Sequence, residues 1–120
     1  MGGTAAVDVN HTTEDRIAEI YDRDGFIFPI DVMPRAEAEE VRADLEAAER
    51  ELADDPKRLA LLRAYPDRLL PSFDRLVRNA NLIRAARSVL GPDLMVWSSG
   101  LFLKEAHSPK IVSWHQDLTY

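Results

Sequence analysis

The sequence predicts an α+β chain that is helical for most of its length and becomes β-structured towards its end. From Pro34 to about Ala53, apolar residues recur every three or four positions among Glu, Asp and Arg, the pattern of an amphipathic surface helix. After Pro92 the period changes to two, and residues 94–105 (LMVWSSGLFLKE) place alternate side chains on opposite faces, as a strand does. A second strand is predicted from Ile111, after a short loop.

The remaining segments are assigned in the same way. A capping-box pattern at Thr12 begins a first helix, which Gly25 ends, and FIFPI (residues 26–30) is expected to be a short edge strand. A less regular helical region follows residue 54, and a last helix ends at Gly91. The predicted organisation is therefore a flexible lead-in (1–11), a helical region with that short strand (12–93), and the strands of residues 94–120.

Composition excludes several classes of protein. The 120 residues allow one domain, and 15 Lys and Arg against 21 Asp and Glu give a net charge of −6, which argues against a nucleic-acid partner. The chain contains no cysteine, so disulfides and thiolate chemistry are excluded. The first ten residues carry no secretory signal, and no apolar run reaches membrane-spanning length, so we expect a cytoplasmic protein without a membrane partner.

The segment SWHQDLTY, residues 113–120, contains the candidate chemistry. Residues two apart in a strand point to the same side, so His115 and Asp117 are expected to project together. An imidazole and a carboxylate are two of the three ligands that hold ferrous iron in many oxygenases. The pair therefore predicts part of a metal site, although an isolated H-x-D triplet also occurs by chance.

The order of motifs resembles the phytanoyl-CoA dioxygenase (PhyH-like) family of Fe(II)/2-oxoglutarate-dependent dioxygenases. The resemblance rests on DGFIFPI (24–30), RLVRNANLIRAARSVLGPDL (75–94) with its helix ending in LGP, LFLK (101–104) and SWHQDLTY (113–120), found in that order. It spans nearly the whole chain, and its most specific part is the last third. The resemblance implies a double-stranded β-helix, or jelly roll, of which this chain would hold the N-terminal helices and first strands, with the barrel incomplete.

The same resemblance implies a reaction and a set of cofactors. His115 and Asp117 match the first two iron ligands of the family. Iron(II), with 2-oxoglutarate and O₂ as cosubstrates, would hydroxylate an unactivated C–H bond of a small molecule. Hydroxylation is implied because the family's halogenating members replace this carboxylate with a small residue. The family's distal histidine and its arginine for 2-oxoglutarate have no match here, so we interpret the chain as an N-terminal fragment.

Four other residues have two interpretations each. Lys104 is a candidate for holding 2-oxoglutarate or an acidic substrate, and its alternative is a lysine pointing into water at the end of a strand. Trp97 and Trp114 are candidates for a substrate pocket, and their alternative is plain core packing. His107 lies in the loop before the metal strand, where it either approaches the metal or faces solvent.

Two competing functions remain open. The first is a catalytically inactive truncated relative that serves as a helical interaction or regulatory module. The second is a cupin-like structural metal protein, which would need four ligands where two are found. The apolar faces of the predicted strands also favour self-association through an unpaired strand edge.

Overall fold

The computed structural model describes residues 14–116, and this part of the chain folds into helices followed by a long irregular segment. Six helices are present between residues 14 and 90, and none of them combines the length and apolar composition needed to cross a bilayer. In chain order they are α1 (Glu14–Asp24), α2 (Arg35–Glu51), α3 (Pro56–Ala64), α4 (Pro66–Leu69), α5 (Pro71–Val77) and α6 (Ala80–Leu90).

Helices α1 and α6 pack against each other at one end of the molecule. Ile17 is the buried residue of α1 and Ala85 that of α6. Both helices end as predicted, because Gly25 and Gly91 adopt positive φ angles of 78° and 90°, which glycine tolerates without a steric cost. The small side chain of Ala85 suits a close approach of the two helix axes.

The start of α6 is held by asparagines. The side chain of Asn79 accepts hydrogen bonds from the backbone nitrogens of Asn81 (2.9 Å) and Leu82 (3.2 Å), which satisfies two of the unpaired N–H groups of the first turn. Asn81 in turn donates from Nδ2 to the carbonyl of Val32 at 3.0 Å. This contact ties the connection between α1 and α2 to the first turn of α6.

Helix α2 lies on the surface and contacts α5. It contains no buried residue, and its apolar positions Val41, Leu45 and Ala48 are only half-buried. Ion pairs four residues apart cover its outer side, including Arg42 with Glu46 at 2.6 Å, where the hydrogen bond from the guanidinium lowers the pKa of the Glu46 carboxyl. The prediction of an amphipathic surface helix agrees with this geometry.

Helices α3, α4 and α5 each begin with a proline at the first position, and Pro66 and Pro71 limit the lengths of α3 and α4. A proline lacks the N–H that would be unpaired there anyway, but it ends the preceding helix. Asp55 caps α3 by accepting from the backbone nitrogen of Arg58 at 3.0 Å. This region supplies the other buried residues of the described chain: Leu62, Pro66, Ser72 and Phe73.

The prediction of strands at the end of the chain is wrong for the residues that the structure describes. Residues 91–116 form neither helix nor strand, and no sheet exists between residues 14 and 116. A strand exists only when a neighbouring strand accepts and donates its backbone hydrogen bonds. Residues 94–105 have the period of a strand, but the described elements of the chain are helices, and a helix offers no ladder of free backbone groups for a strand to pair with.

The prediction of an edge strand at residues 26–30 is also wrong, and so is the predicted jelly roll. Residues 26–29 are irregular, the Phe28–Pro29 peptide bond is cis, and Pro29 has no N–H to donate to a ladder. The described chain is helical, and the α+β class with first barrel strands is not observed. The predicted lead-in of residues 1–11, the capping pattern at Thr12 and residues 117–120 lie outside the described residues.

The α1–α6 contact sets the stability of this end of the molecule. Ile17 is 0% exposed, and replacing it with alanine would leave a cavity in a core that has few other members. We expect Ile17→Ala to lower the free energy of unfolding by about 2–4 kcal/mol in urea titrations followed by circular dichroism. Leu90→Ala is the control, because Leu90 is 73% exposed and its loss should cost less than about 0.5 kcal/mol. Equal losses in the two variants would contradict this packing.

Candidate functional site

The segment that carries the predicted site residues is attached to the helices at one place. The hydroxyl of Ser99 donates a hydrogen bond to Oδ1 of Asp67 and accepts one from the Asp67 backbone nitrogen at 3.4 Å. Two residues later, the backbone nitrogen of Leu101 donates to the carbonyl of Arg63 at 2.8 Å. Residues 99–101 are therefore held against the junction of α3 and α4.

Gly100 lies close to the end of α3 in this attachment. A Cβ atom built on Gly100 would lie 4.0 Å from the carbonyl oxygen of Ala64, which is ordinary van der Waals contact. A side chain larger than alanine would have to extend past the backbone at the end of α3. The small residues Ser99 and Gly100 therefore allow the two segments to lie close together.

The side chain of Arg63 joins the same attachment to α2. Its Nε donates to Oε1 of Glu49 at 2.8 Å, and its Nη2 lies 4.0 Å from Oε1 of Glu105. The pair with Glu49 is partly shielded from water, whereas the Glu105 carboxylate is largely exposed. A charge-assisted hydrogen bond that is shielded from water, such as that between Arg63 and Glu49, is stronger than an exposed ion pair. Glu49 therefore orients the guanidinium, and Glu105 adds a weaker attraction.

A turn separates the attached residues from the segment with the candidate metal ligands. The backbone nitrogen of Ser108 donates to the carbonyl of Glu105 at 3.2 Å, and the Ser108 hydroxyl accepts from the Lys110 nitrogen at 3.2 Å. His107 occupies the turn with a φ of 59°, in the left-handed region. It is exposed, which agrees with the solvent-facing interpretation of this histidine.

His115 is exposed, and its ring is oriented by its own backbone. The Nδ1 atom lies 2.8 Å from the carbonyl oxygen of Ser113. Because a carbonyl oxygen only accepts, Nδ1 must carry the proton of this hydrogen bond. In the neutral ring, Nε2 is then the atom with the lone pair, which is the tautomer that a metal-ligating histidine adopts when a backbone carbonyl holds its other nitrogen.

The donor atoms fit iron in kind, but the described residues do not supply a complete set. Between residues 14 and 116, no group of three His, Cys, Asp or Glu side chains is close enough together to hold a metal ion. Asp117, the second predicted ligand, lies outside the described residues. A shallow depression of about 280 Å³ beside His115 is lined by its neighbours Val112, Ser113 and Trp114 alone.

The other predicted site residues are all exposed to solvent. Lys104 follows the attached residues and lies next to Glu105. Trp97 is 82% exposed and Trp114 is fully exposed, so neither indole contributes to the core of the described helices. Covering either ring would require a contact beyond those that residues 14–116 make.

The sequence analysis missed the attachment of the segment. The contact between Arg63 and Glu49 joins residues 14 positions apart, and the contact between Asp67 and Ser99 joins residues 32 positions apart. Each is an ordinary polar residue in its local pattern, and no spacing rule connects them. Only the small pair Ser99–Gly100, which interrupts an apolar run, gave a local signal of close backbone approach.

Comparison with known proteins adds no relative. No family model, no curated protein and no solved structure matches the chain. The interpretation of the site therefore rests on its own residues and geometry.

We expect alanine substitutions at the adjacent residues Ser98 and Ser99 to have different effects on stability and on the attachment. Ser99→Ala removes the hydrogen bond to Asp67 and should lower the free energy of unfolding by about 1 kcal/mol. The same substitution should also speed amide hydrogen exchange at Leu101 roughly tenfold, because the hydrogen bond from the Leu101 nitrogen to the Arg63 carbonyl would open more often. Ser98→Ala is the matched control, because Ser98 is exposed and should change neither quantity. Exchange at Leu101 that is equally fast in both variants would show that Ser99 does not hold the segment.

Proposed function

We propose that this chain contributes two metal ligands, His115 and Asp117, to an Fe(II)- and 2-oxoglutarate-dependent dioxygenase that hydroxylates an unactivated C–H bond of a small molecule. The observation that carries the proposal is the hydrogen bond from Nδ1 of His115 to the carbonyl of Ser113, because it leaves Nε2 as the basic nitrogen. The motif order described above supports the choice of iron and 2-oxoglutarate. The hydrogen bond concerns the protonation of the His115 ring, which is the property that a metal ligand requires.

The residues of this chain have limited roles in such a reaction. When bound, iron with 2-oxoglutarate and O₂ supplies the oxidation: one oxygen atom enters the C–H bond, the other enters succinate, and CO₂ is released. His115 and Asp117 would hold the metal, Lys104 is the candidate for pairing with a carboxylate of 2-oxoglutarate, and Trp97 and Trp114 are candidates for contacting an apolar substrate. A second histidine and an arginine would have to come from outside these 120 residues.

The proposed reaction also suggests a location. Ferrous iron and 2-oxoglutarate are both available in a reducing compartment, so the cytoplasm is the proposed place of action.

Exclusion of water from the site is a further requirement, since a buried site strengthens every electrostatic interaction within it. His115 is exposed, so the proposal requires another polypeptide surface to cover it.

A helical interaction module is the second candidate function. The observation that favours it is the set of large apolar side chains that the described residues leave in water along 94–114, including Trp97, Phe102 and Trp114. Such side chains form the centre of many protein interfaces. This function requires no metal, which separates it from the first proposal.

Metal titration distinguishes the two functions. We expect the 120-residue chain to bind Fe(II) anaerobically, or Co(II) as a spectroscopic probe, in isothermal titration calorimetry. His115→Ala and Asp117→Ala should each weaken binding by at least about tenfold, because each removes one of two ligands. His107→Ala is the control: it also removes a histidine from the same segment, but from the exposed turn, and should leave the affinity unchanged.

Two results would contradict the metal proposal. One is an affinity that falls equally in the His107 and His115 variants, which would indicate nonspecific binding by surface histidines. The other is metal binding by the folded chain that neither His115→Ala nor Asp117→Ala weakens, which would place the metal on other residues and leave the interaction module as the better candidate. The d–d absorption of Co(II) provides a second readout, because it should change when an imidazole nitrogen leaves the coordination sphere.

A further inference from the structure

The run of residues 94–103 is an apolar surface that the helices hold in place but do not cover. Met95 is 84% exposed, Trp97 82% and Phe102 85%, and Leu94, Val96 and Leu103 are also exposed. The hydrogen bonds at Ser99 and Leu101 fix the middle of this run on α3 and α4. The apolar side chains on both sides of the attachment are therefore presented from a fixed base, which lowers the entropic cost of binding through them.

We propose that this surface, residues 94–103, binds the same surface of a second copy of the chain in a two-fold symmetric contact. The six exposed apolar side chains offer on the order of 800 Å², since an aromatic ring alone contributes about 150–250 Å². A stable interface buries about 800 Å² on each partner. Covering all six side chains would therefore bury about the area that a dimer needs, without any contribution from the His115 segment.

The charges of the run suit a contact between two identical surfaces. No charged residue lies between positions 94 and 103, so the centre of the contact brings no like charges together. The nearest charges are Asp93 at one end and Lys104 at the other. A two-fold axis perpendicular to the run reverses its direction, which places Asp93 of one copy near Lys104 of the other, whereas a parallel arrangement would pair Asp93 with Asp93.

Sedimentation velocity of the 120-residue chain tests the contact. Between about 1 and 100 µM the chain should pass from monomer to dimer, and Trp97→Ser or Phe102→Ser should raise the dimer Kd at least ~30-fold, as truncation of a central aromatic does. Phe28→Ser is the matched control, because Phe28 is also an exposed aromatic (61%) on an irregular segment, but lies outside the run. Circular dichroism confirms that each variant retains its helices.

A charge exchange tests the orientation. Asp93→Lys and Lys104→Asp should each raise the Kd several-fold, because each places like charges at both ends of the antiparallel contact. The double variant Asp93→Lys/Lys104→Asp should restore the original Kd, since the opposite charges meet again.

Four outcomes would overturn the proposal. They are a monomer throughout the concentration range, a dimer whose Kd does not respond to Trp97→Ser, a double charge variant that dimerises no better than the single ones, and open-ended aggregation in place of a closed dimer. Neutral phosphatidylcholine vesicles provide a further check. A monomer whose tryptophan emission shifts to the blue on adding them would assign the surface to a lipid partner instead.

Discussion

The placement of residues 99–105 depends on the contacts of Arg63, together with the hydrogen bonds between Ser99 and Asp67. The Arg63 guanidinium holds Glu49 of α2, its carbonyl accepts the amide of Leu101, and the Glu105 carboxylate lies within 4.0 Å of it. Arg63, near the end of α3, thus contacts α2 through its side chain and the irregular segment at Leu101 through its backbone carbonyl. Because α2 has no buried residue of its own, this polar contact adds a link to its limited packing against α5. Arg63 therefore affects both the helical body and the orientation of residues 94–105.

The parts of the fold that the sequence predicted correctly depend on neighbours in the chain. Helix α2 follows from a periodic apolar stripe, and the ends of α1 and α6 follow from glycines that accept positive φ at residues 25 and 91. These signals are complete within a few residues. The strand prediction for 94–105 used an equally clear period, but a strand requires hydrogen bonds from another segment. A period of two shows which side chains would share a face of a strand. It does not show whether a neighbouring strand is present to pair with.

The candidate site divides in the same way. The tautomer of His115 is set by a carbonyl two residues earlier, so it is a local property that the segment carries with it. The number of metal ligands is not local, because residues 14–116 bring no three suitable side chains together. The sequence could indicate the kind of donor atoms at positions 115 and 117, but whether further ligands lie beside them depends on contacts between distant segments. The contacts of Arg63 and Ser99 were beyond sequence reasoning for the same reason.

The apolar side chains of residues 94–103 and the imidazole of His115 are both exposed, and contact with water is unfavourable for both. A side chain such as Trp97 in water costs free energy that burial would recover, at about 25 cal/mol per Å² of apolar surface. A metal ligand in water competes with solvent for its metal, and its site gains strength only when water is removed. The attachment at Ser99 and Leu101 lies between these two regions and fixes the segment that joins them. A surface that covers residues 94–103 would therefore restrict the path of residues 105–116 as well. The turn at residues 105–108 decides how far that restriction reaches, because it sets the direction in which the chain leaves the covered surface towards His115.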